Sequence, residues 1–184
     1  MTIKPLAAAS LALWLTGCVP SLNPLFTAKD TVADPAFAGV WQGERDRWIV
    51  ELAGPRRYVL TVKPAEGPPA SFSGHLVQLG GARFLDLYPE EFELPNGFLQ
   101  LHLVPAHTIS RVWLEGDRLR AAMLDEAWLR GRIRDGQVQI DHLLRGDSLV
   151  LTASTPQLQA LVTRFAGDAK AFPEPQEFRR RTSQ

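Results

Sequence analysis

Short alternating runs punctuated by tight turns constrain this chain more than any other feature. Arg47-Trp48-Ile49-Val50-Glu51-Leu52 sets Trp48, Val50 and Leu52 on one face and Arg47 and Glu51 on the other, the period-two pattern of a half-buried strand. Gly54-Pro55 turns the chain, and Tyr58, Leu60 and Val62 repeat the pattern against Arg57, Thr61 and Lys63. Phe72 to Leu79 and Ala82 to Tyr88 flank Gly80-Gly81, the spacing of a two-residue hairpin. Leu99, Leu101 and Leu103 alternate until Pro105, which ends a strand or confines it to an edge. Thr108 to Leu114 and Arg118 to Leu124 read as another hairpin about Glu115-Gly116-Asp117, and Gln137 to Leu143 and Ser148 to Thr152 as strands joined by Arg145-Gly146-Asp147. The loops are too short for parallel crossovers, so about eight strands form an antiparallel meander. Closing such a meander into a barrel or strongly curled sheet removes its edges.

Two helices interrupt the strands. Asp125 caps a short one running to Arg130, with Gly131 at its end. Ser154-Thr155 before Pro156 starts the second and Gly167 stops it. Within it Leu158, Leu161, Val162 and Phe165 form one stripe that buries against the sheet. The expected fold is mainly β: a small barrel or curled sheet with a short helix and a C-terminal helix.

The N-terminus has a different grammar. Met1-Thr2-Ile3-Lys4 is a short basic start, Pro5 to Leu15 an apolar run, and Leu15-Thr16-Gly17-Cys18 closes it. Together these are the three regions of a secretory signal. The apolar run falls short of the ~20 residues that span a bilayer. Its end resembles the Leu-x-Gly-Cys lipobox of bacterial lipoproteins, which implies cleavage before Cys18. It also implies a thioether-linked diacylglycerol on the Cys18 sulfur and an N-acyl chain such as palmitate. Val19 stands where an aspartate commonly retains such proteins in the inner membrane, so the resemblance implies the periplasmic face of an outer membrane. The chain then divides into a signal peptide at 1–17, a lipid-anchored tether at 18–35 broken by Pro20, Pro24 and Pro35, a β-rich domain at 36–172 and a polar tail at 173–184.

Gly39-Val40-Trp41 at the first strand resembles the Gly-x-Trp motif of lipocalins, in which the Trp plugs the barrel floor and a late helix packs on the wall. A longer resemblance runs from Cys18 to Phe26, through Asp34-Pro35-Ala36 and Gly39-Val40-Trp41, and again over Leu151 to Thr155, Leu158-Gln159-Ala160 and Glu177-Phe178-Arg179. These segments are similar to a group of uncharacterised single-domain bacterial lipoproteins, and the similarity carries no activity.

Charge excludes some classes. Twenty Lys and Arg balance twenty Asp and Glu, so a broad electrostatic footprint for nucleic acid is lacking. The one basic cluster, Arg179-Arg180-Arg181, reads as a solvated end. Cys18 is the only cysteine; once lipidated it leaves no disulfide, thiol nucleophile or thiolate ligand.

The remaining chemistry-bearing residues are dispersed. His75, His102, His107 and His142 lack the short spacings of a metal site, and no metal or cofactor is expected. Asp141, His142 and Ser148 contain the residue types of a catalytic triad, but a polar turn between strands explains them, and no Gly-x-Ser-x-Gly elbow occurs. Glu90, Glu91 and Glu93 read as a solvated acidic loop. Trp41, Trp48, Trp113 and Trp128 suit a barrel core before a ligand pocket. Arg111, Arg118, Arg120, Arg130, Arg132 and Arg134 alternate with Glu115, Asp117, Asp125, Glu126 and Asp135 as a mixed surface.

The expected function is a non-catalytic binding or accessory lipoprotein. Its partners are the membrane, through lipid on Cys18, and a small apolar ligand or an envelope protein. An envelope hydrolase with an unrecognised site and a structural assembly factor are the alternatives.

Overall fold

A computed structural model of the chain describes residues 17–90, 96–146 and 148–181. The expected signal peptide as far as residue 16, together with Glu91, Glu93, Asp147 and residues 182–184, lies outside the described residues.

The strands are β1 (Pro20–Ser21), β2 (Thr31–Val32), β3 (Gly39–Gln42), β4 (Asp46–Leu52), β5 (Tyr58–Pro64), β6 (Ala70–Leu79), β7 (Ala82–Pro89), β8 (His107–Glu115), β9 (Arg118–Met123), β10 (His142–Arg145), β11 (Ser148–Leu151) and β12 (Gln176–Arg181). The helices are α1 (Gly97–Gln100), α2 (Glu126–Arg134) and α3 (Thr155–Phe165), with a 3₁₀ turn at Pro35–Phe37. Strands β3 to β9 form an antiparallel meander, and β12 inserts between β9 and β3 to close an eight-stranded barrel. The β6–β7 hairpin turns on Gly80 and Gly81, whose φ of +53° and +81° suit the two-residue turns that match strand twist. A side chain at Gly80 would also strike the methyl of Thr163 on α3, 2.6 Å away.

The alternation read from the sequence divides the wall into two faces. Trp41, Trp48, Val50, Tyr58, Leu60, Leu76, Leu85, Leu87, Val112, Leu119, Ala121 and Phe178 point inward and form one core with Phe37. Outward-facing Val77, Phe84, Ile109 and Ala122 form a second core beneath the N-terminal segment, α2, α3 and the β10–β11 hairpin. Strand β7 lies between the two cores and buries Phe84, Leu85, Asp86 and Leu87 in succession.

The α3 stripe packs as expected, with Leu158, Leu161 and Val162 buried and Phe165 half-buried against the outer core. Helix α2 begins after its Asp125 cap, whose carboxylate accepts the Trp128 N–H at 2.6 Å, but runs through Gly131 to Arg134. Gly136, with φ of +69°, follows its end instead.

Other expectations need correction. Leu99 to Leu103 do not form a strand: Asn96 caps the single turn α1 by accepting the N–H groups of Phe98 and Leu99, leaving the apolar side chains exposed. Residues 137–141 form no strand, and only His142–Arg145 pairs with β11, outside the barrel. The tail expected from residue 173 contains β12, and its Arg179-Arg180-Arg181 cluster is strand rather than a frayed end. Arg180 lies over the Trp41 ring at 4.2 Å and donates to the Ala38 carbonyl at 2.8 Å.

The segment read as a tether at 18–35, with Leu22, Leu25 and Phe26 as residues that could dock, is fastened along its length. Asn23 donates to the carbonyls of Thr152 and Ala153, Thr155 to that of Pro24, and Gln159 to that of Leu25. Leu25 is fully buried, Phe26 packs at the edge of the outer core, and Leu22 stays 42% exposed. Its prolines block a regular helix, but not side-chain docking onto the wall.

Candidate functional site

The surroundings of Cys18 follow from the way β9 leaves the barrel. Beyond Met123, β9 separates from β8, and the N-terminal segment takes its place: Pro20 pairs with Thr108 and Ser21 with His107. Cys18 forms an antiparallel bridge with Asp125. The Val19 N–H donates to the Leu124 carbonyl at 3.3 Å, and the Glu126 N–H donates to the Gly17 carbonyl at 3.0 Å. Glu126 also accepts the Leu149 N–H at 2.8 Å, which ties α2 to the β10–β11 hairpin.

Cys18 is half-buried in this junction. Burial pushes its thiol pKa up, and the Glu126 carboxylate adds to the effect by opposing a second negative charge. A thiol so placed is a poor thiolate nucleophile. A side cavity of about 240 Å³ is lined by Gly17, Trp48, Ser110, Ala121, Glu174 and Gln176 among others. It adjoins a broader open groove of about 1290 Å³ reaching Arg45 and Lys170. The barrel interior itself is filled: Trp41, Tyr58, Leu60, Leu76, Leu85 and Phe178 have no exposed surface.

A second polar constellation sits on the outer wall. Asp86 is 1% exposed; one carboxylate oxygen accepts the Leu25 N–H at 2.7 Å and the other the His107 Nδ1–H at 2.6 Å. Tyr88 packs on the His107 ring at 4.6 Å, and His75, opposite Asp86 in the ladder, stacks on Phe26 at 4.0 Å. Burial lowers the His75 pKa, with repulsion from Arg57 and His107 in the same direction and attraction from Asp86 opposing it. The nearby Ser21 hydroxyl donates to the Asn23 carbonyl at 2.7 Å. One carboxylate oxygen of Asp86 thus holds the N-terminal segment to the wall, and the other ties β7 to β8 through His107. One sequence signal pointed here: an aspartate inside the apolar run Phe84-Leu85-Asp86-Leu87 needs a partner when both faces of its strand are buried.

The remaining candidates stay apart. His142 Nδ1 bonds the Ile140 carbonyl and His102 Nδ1 the Phe98 carbonyl, both at 2.8 Å. Among the described residues, no three His, Cys, Asp or Glu side chains converge as a metal-binding group. Glu90 pairs with Arg57 at 3.0 Å. Trp41 and Trp48 belong to the barrel interior, whereas Trp113 lies outside between Arg111 and Arg120 and Trp128 packs edge-on against Phe165. Several of the outer arginines meet acidic partners: Arg120 with Glu115, Arg130 with Glu126, Arg132 with Asp168 and Arg134 with Asp135.

Comparison with known proteins finds no matching family model, no matching curated protein and no matching solved structure.

Proposed function

We propose that the chain is a lipid-anchored lipoprotein of a bacterial cell envelope, carrying its lipid on Cys18 at the periplasmic face of the outer membrane. In this reading it serves as a non-catalytic accessory or binding protein. The lipobox pattern at Leu15 to Cys18 supports the anchor. The raised thiol pKa disfavours the thiolate that a catalytic cysteine needs. Two or three acyl chains bury far more CH₂ groups than a single myristoyl, so the attachment is stable.

The observation that carries the accessory role is the filled barrel. Side chains without exposed surface occupy the interior where an enclosed apolar ligand would sit. Binding therefore falls to the outside of the barrel and its rim, which favours an envelope protein or membrane surface over an interior ligand. The side cavity beside Trp48 is the place that suits a small apolar ligand.

Changing Cys18 to Ala, with residues 1–17 replaced by a leader that is cleaved without lipidation, releases the protein from membranes after alkaline and salt washes. Retention of that variant in the washed membrane pellet contradicts the anchor. Addition of lipid extract to the leaderless soluble form tests the side cavity, because a ligand bound only to the folded state raises its melting temperature.

A further inference from the structure

The most unusual surface on the molecule is the connection between β7 and β8. Phe98, Leu99, Leu101, Leu103 and Val104 are all exposed, from 48% for Leu103 to 81% for Leu101. From Asn96 to His107 the chain contains no Asp, Glu, Lys or Arg. The turn is nonetheless well defined: Asn96 caps it, and the Leu101 N–H donates to the Gly97 carbonyl at 3.3 Å. His102 bonds the Phe98 carbonyl and packs its ring on Phe98 at 4.8 Å. A contiguous exposed apolar surface of this kind marks a place where something apolar docks.

Strand register places this surface near the anchor. Strand β7 leaves the barrel at Pro89 and β8 enters at His107, so residues 96–106 lie between strand ends at one end of the barrel. Met123 of β9 pairs with Ser110 of β8, so β9 exits toward that same end and meets Cys18 through Asp125. Cys18 is not at the end of a free linker. Val19 is buried and bonded to Leu124, and Ser21 pairs with His107, three residues beyond Val104. A lipid on the Cys18 sulfur therefore holds this barrel end against the bilayer with no slack.

We infer that the Phe98–Val104 turn inserts into the interfacial region of the phospholipid bilayer, as a second membrane contact that fixes the orientation of the barrel. This inference rests on the proposed lipidation of Cys18. The occupant is a lipid surface rather than a protein because the anchor brings the bilayer to this end in every copy of the molecule. The turn's uncharged, apolar composition suits the boundary between headgroups and acyl chains. One anchor alone leaves a domain free to tilt; an anchor and an apolar turn at the same end define a preferred face.

The test uses the full-length, processed protein in vesicles of phosphatidylethanolamine and phosphatidylglycerol. A thioether at Cys18 leaves an introduced cysteine as the sole reactive thiol. Leu101→Cys and, at the opposite barrel end, Asp117→Cys are labelled with an environment-sensitive fluorophore, and lipids carrying a shallow nitroxide serve as quencher. The Leu101 label is expected to emit further to the blue and to be quenched several-fold more than the Asp117 label. Equal, weak quenching of both labels, in protein whose N-terminal peptide carries the acyl mass, overturns the inserted turn and leaves the anchor standing. A Leu101 label shielded from water yet untouched by the lipid quencher means that protein covers the turn, and overturns the bilayer assignment. An unacylated Cys18 removes the anchor and the inference together.

Discussion

Replacing Phe178 by alanine tests whether β12 closes the barrel. Phe178 has no exposed surface, and its ring lies 4.3 Å from that of Trp48 on the opposite side of β3. Its edge passes so near Gly43 that a Cβ there would come within 2.8 Å of it, so the backbone is moulded around the ring. A collapse that fills the vacated space is therefore restricted, and the substitution costs ~3–5 kcal/mol. Domains of this size hold about 5–15 kcal/mol in all, so roughly a fifth or more of the stability is removed. With a denaturant slope of about 2 kcal/mol/M, the urea midpoint of the leaderless Cys18→Ser protein falls by about 1.5–2.5 M. A loss below about 1 kcal/mol, the ordinary range of a mild substitution, refutes the closing role. Ending the chain after Glu174 is the stronger form of the test. It leaves the facing edges of β3 and β9 unpaired, which is expected to give aggregated protein. A soluble, cooperatively folding product would show that the barrel stands without β12.

Three further outcomes follow from the outer wall. Asp86→Ala strands the buried Leu25 N–H and the His107 imidazole, and is expected to cost ~3–5 kcal/mol and to speed proteolysis between residues 22 and 32; unchanged stability and cleavage would show that the segment is held elsewhere. Because burial lowers the His75 pKa in the folded state, the unfolded chain takes up the extra proton first as pH falls through about 6.5. Stability therefore drops on acidification until the folded value is passed, and His75→Phe flattens that part of the profile; identical slopes for the two proteins count against the buried imidazole. Leu161→Ala, which empties a site between α3 and the wall, is expected to cost ~2–5 kcal/mol by the same urea titration, and a change of a few tenths would place α3 free of the barrel.

The elements legible in the sequence are those whose burial is one-sided. Trp48 and Val50 in β4, Tyr58 and Leu60 in β5, and the Gly80-Gly81 hairpin announced themselves because an inward apolar face alternates with an outward polar one. The α3 stripe was readable for the same reason at helical spacing. Strand β12 was obscured because its inward side chains are Gln176, Phe178 and Arg180, a single hydrophobe among polar groups, and Arg180 is accommodated only because Trp41 offers an aromatic face. The Leu99, Leu101 and Leu103 alternation misled in the opposite direction: the Asn96 cap turns those residues into a helical turn with no sheet to pair with. At the candidate site, Cys18 was legible from its neighbours in sequence. Its clamping at the junction of β9, α2 and the barrel was not, since the bridge to Asp125 joins residues more than a hundred positions apart.

The central claim is that Cys18 joins this closed barrel to a membrane without slack. Mass analysis of the N-terminal peptide, from full-length protein expressed with its own leader in a Gram-negative host, tests it most directly. The account predicts a peptide beginning at Cys18 and carrying a thioether-linked diacylglycerol and an amide-linked acyl chain. A peptide that retains residues 1–17, or one that begins elsewhere with Cys18 as a free thiol, would contradict it.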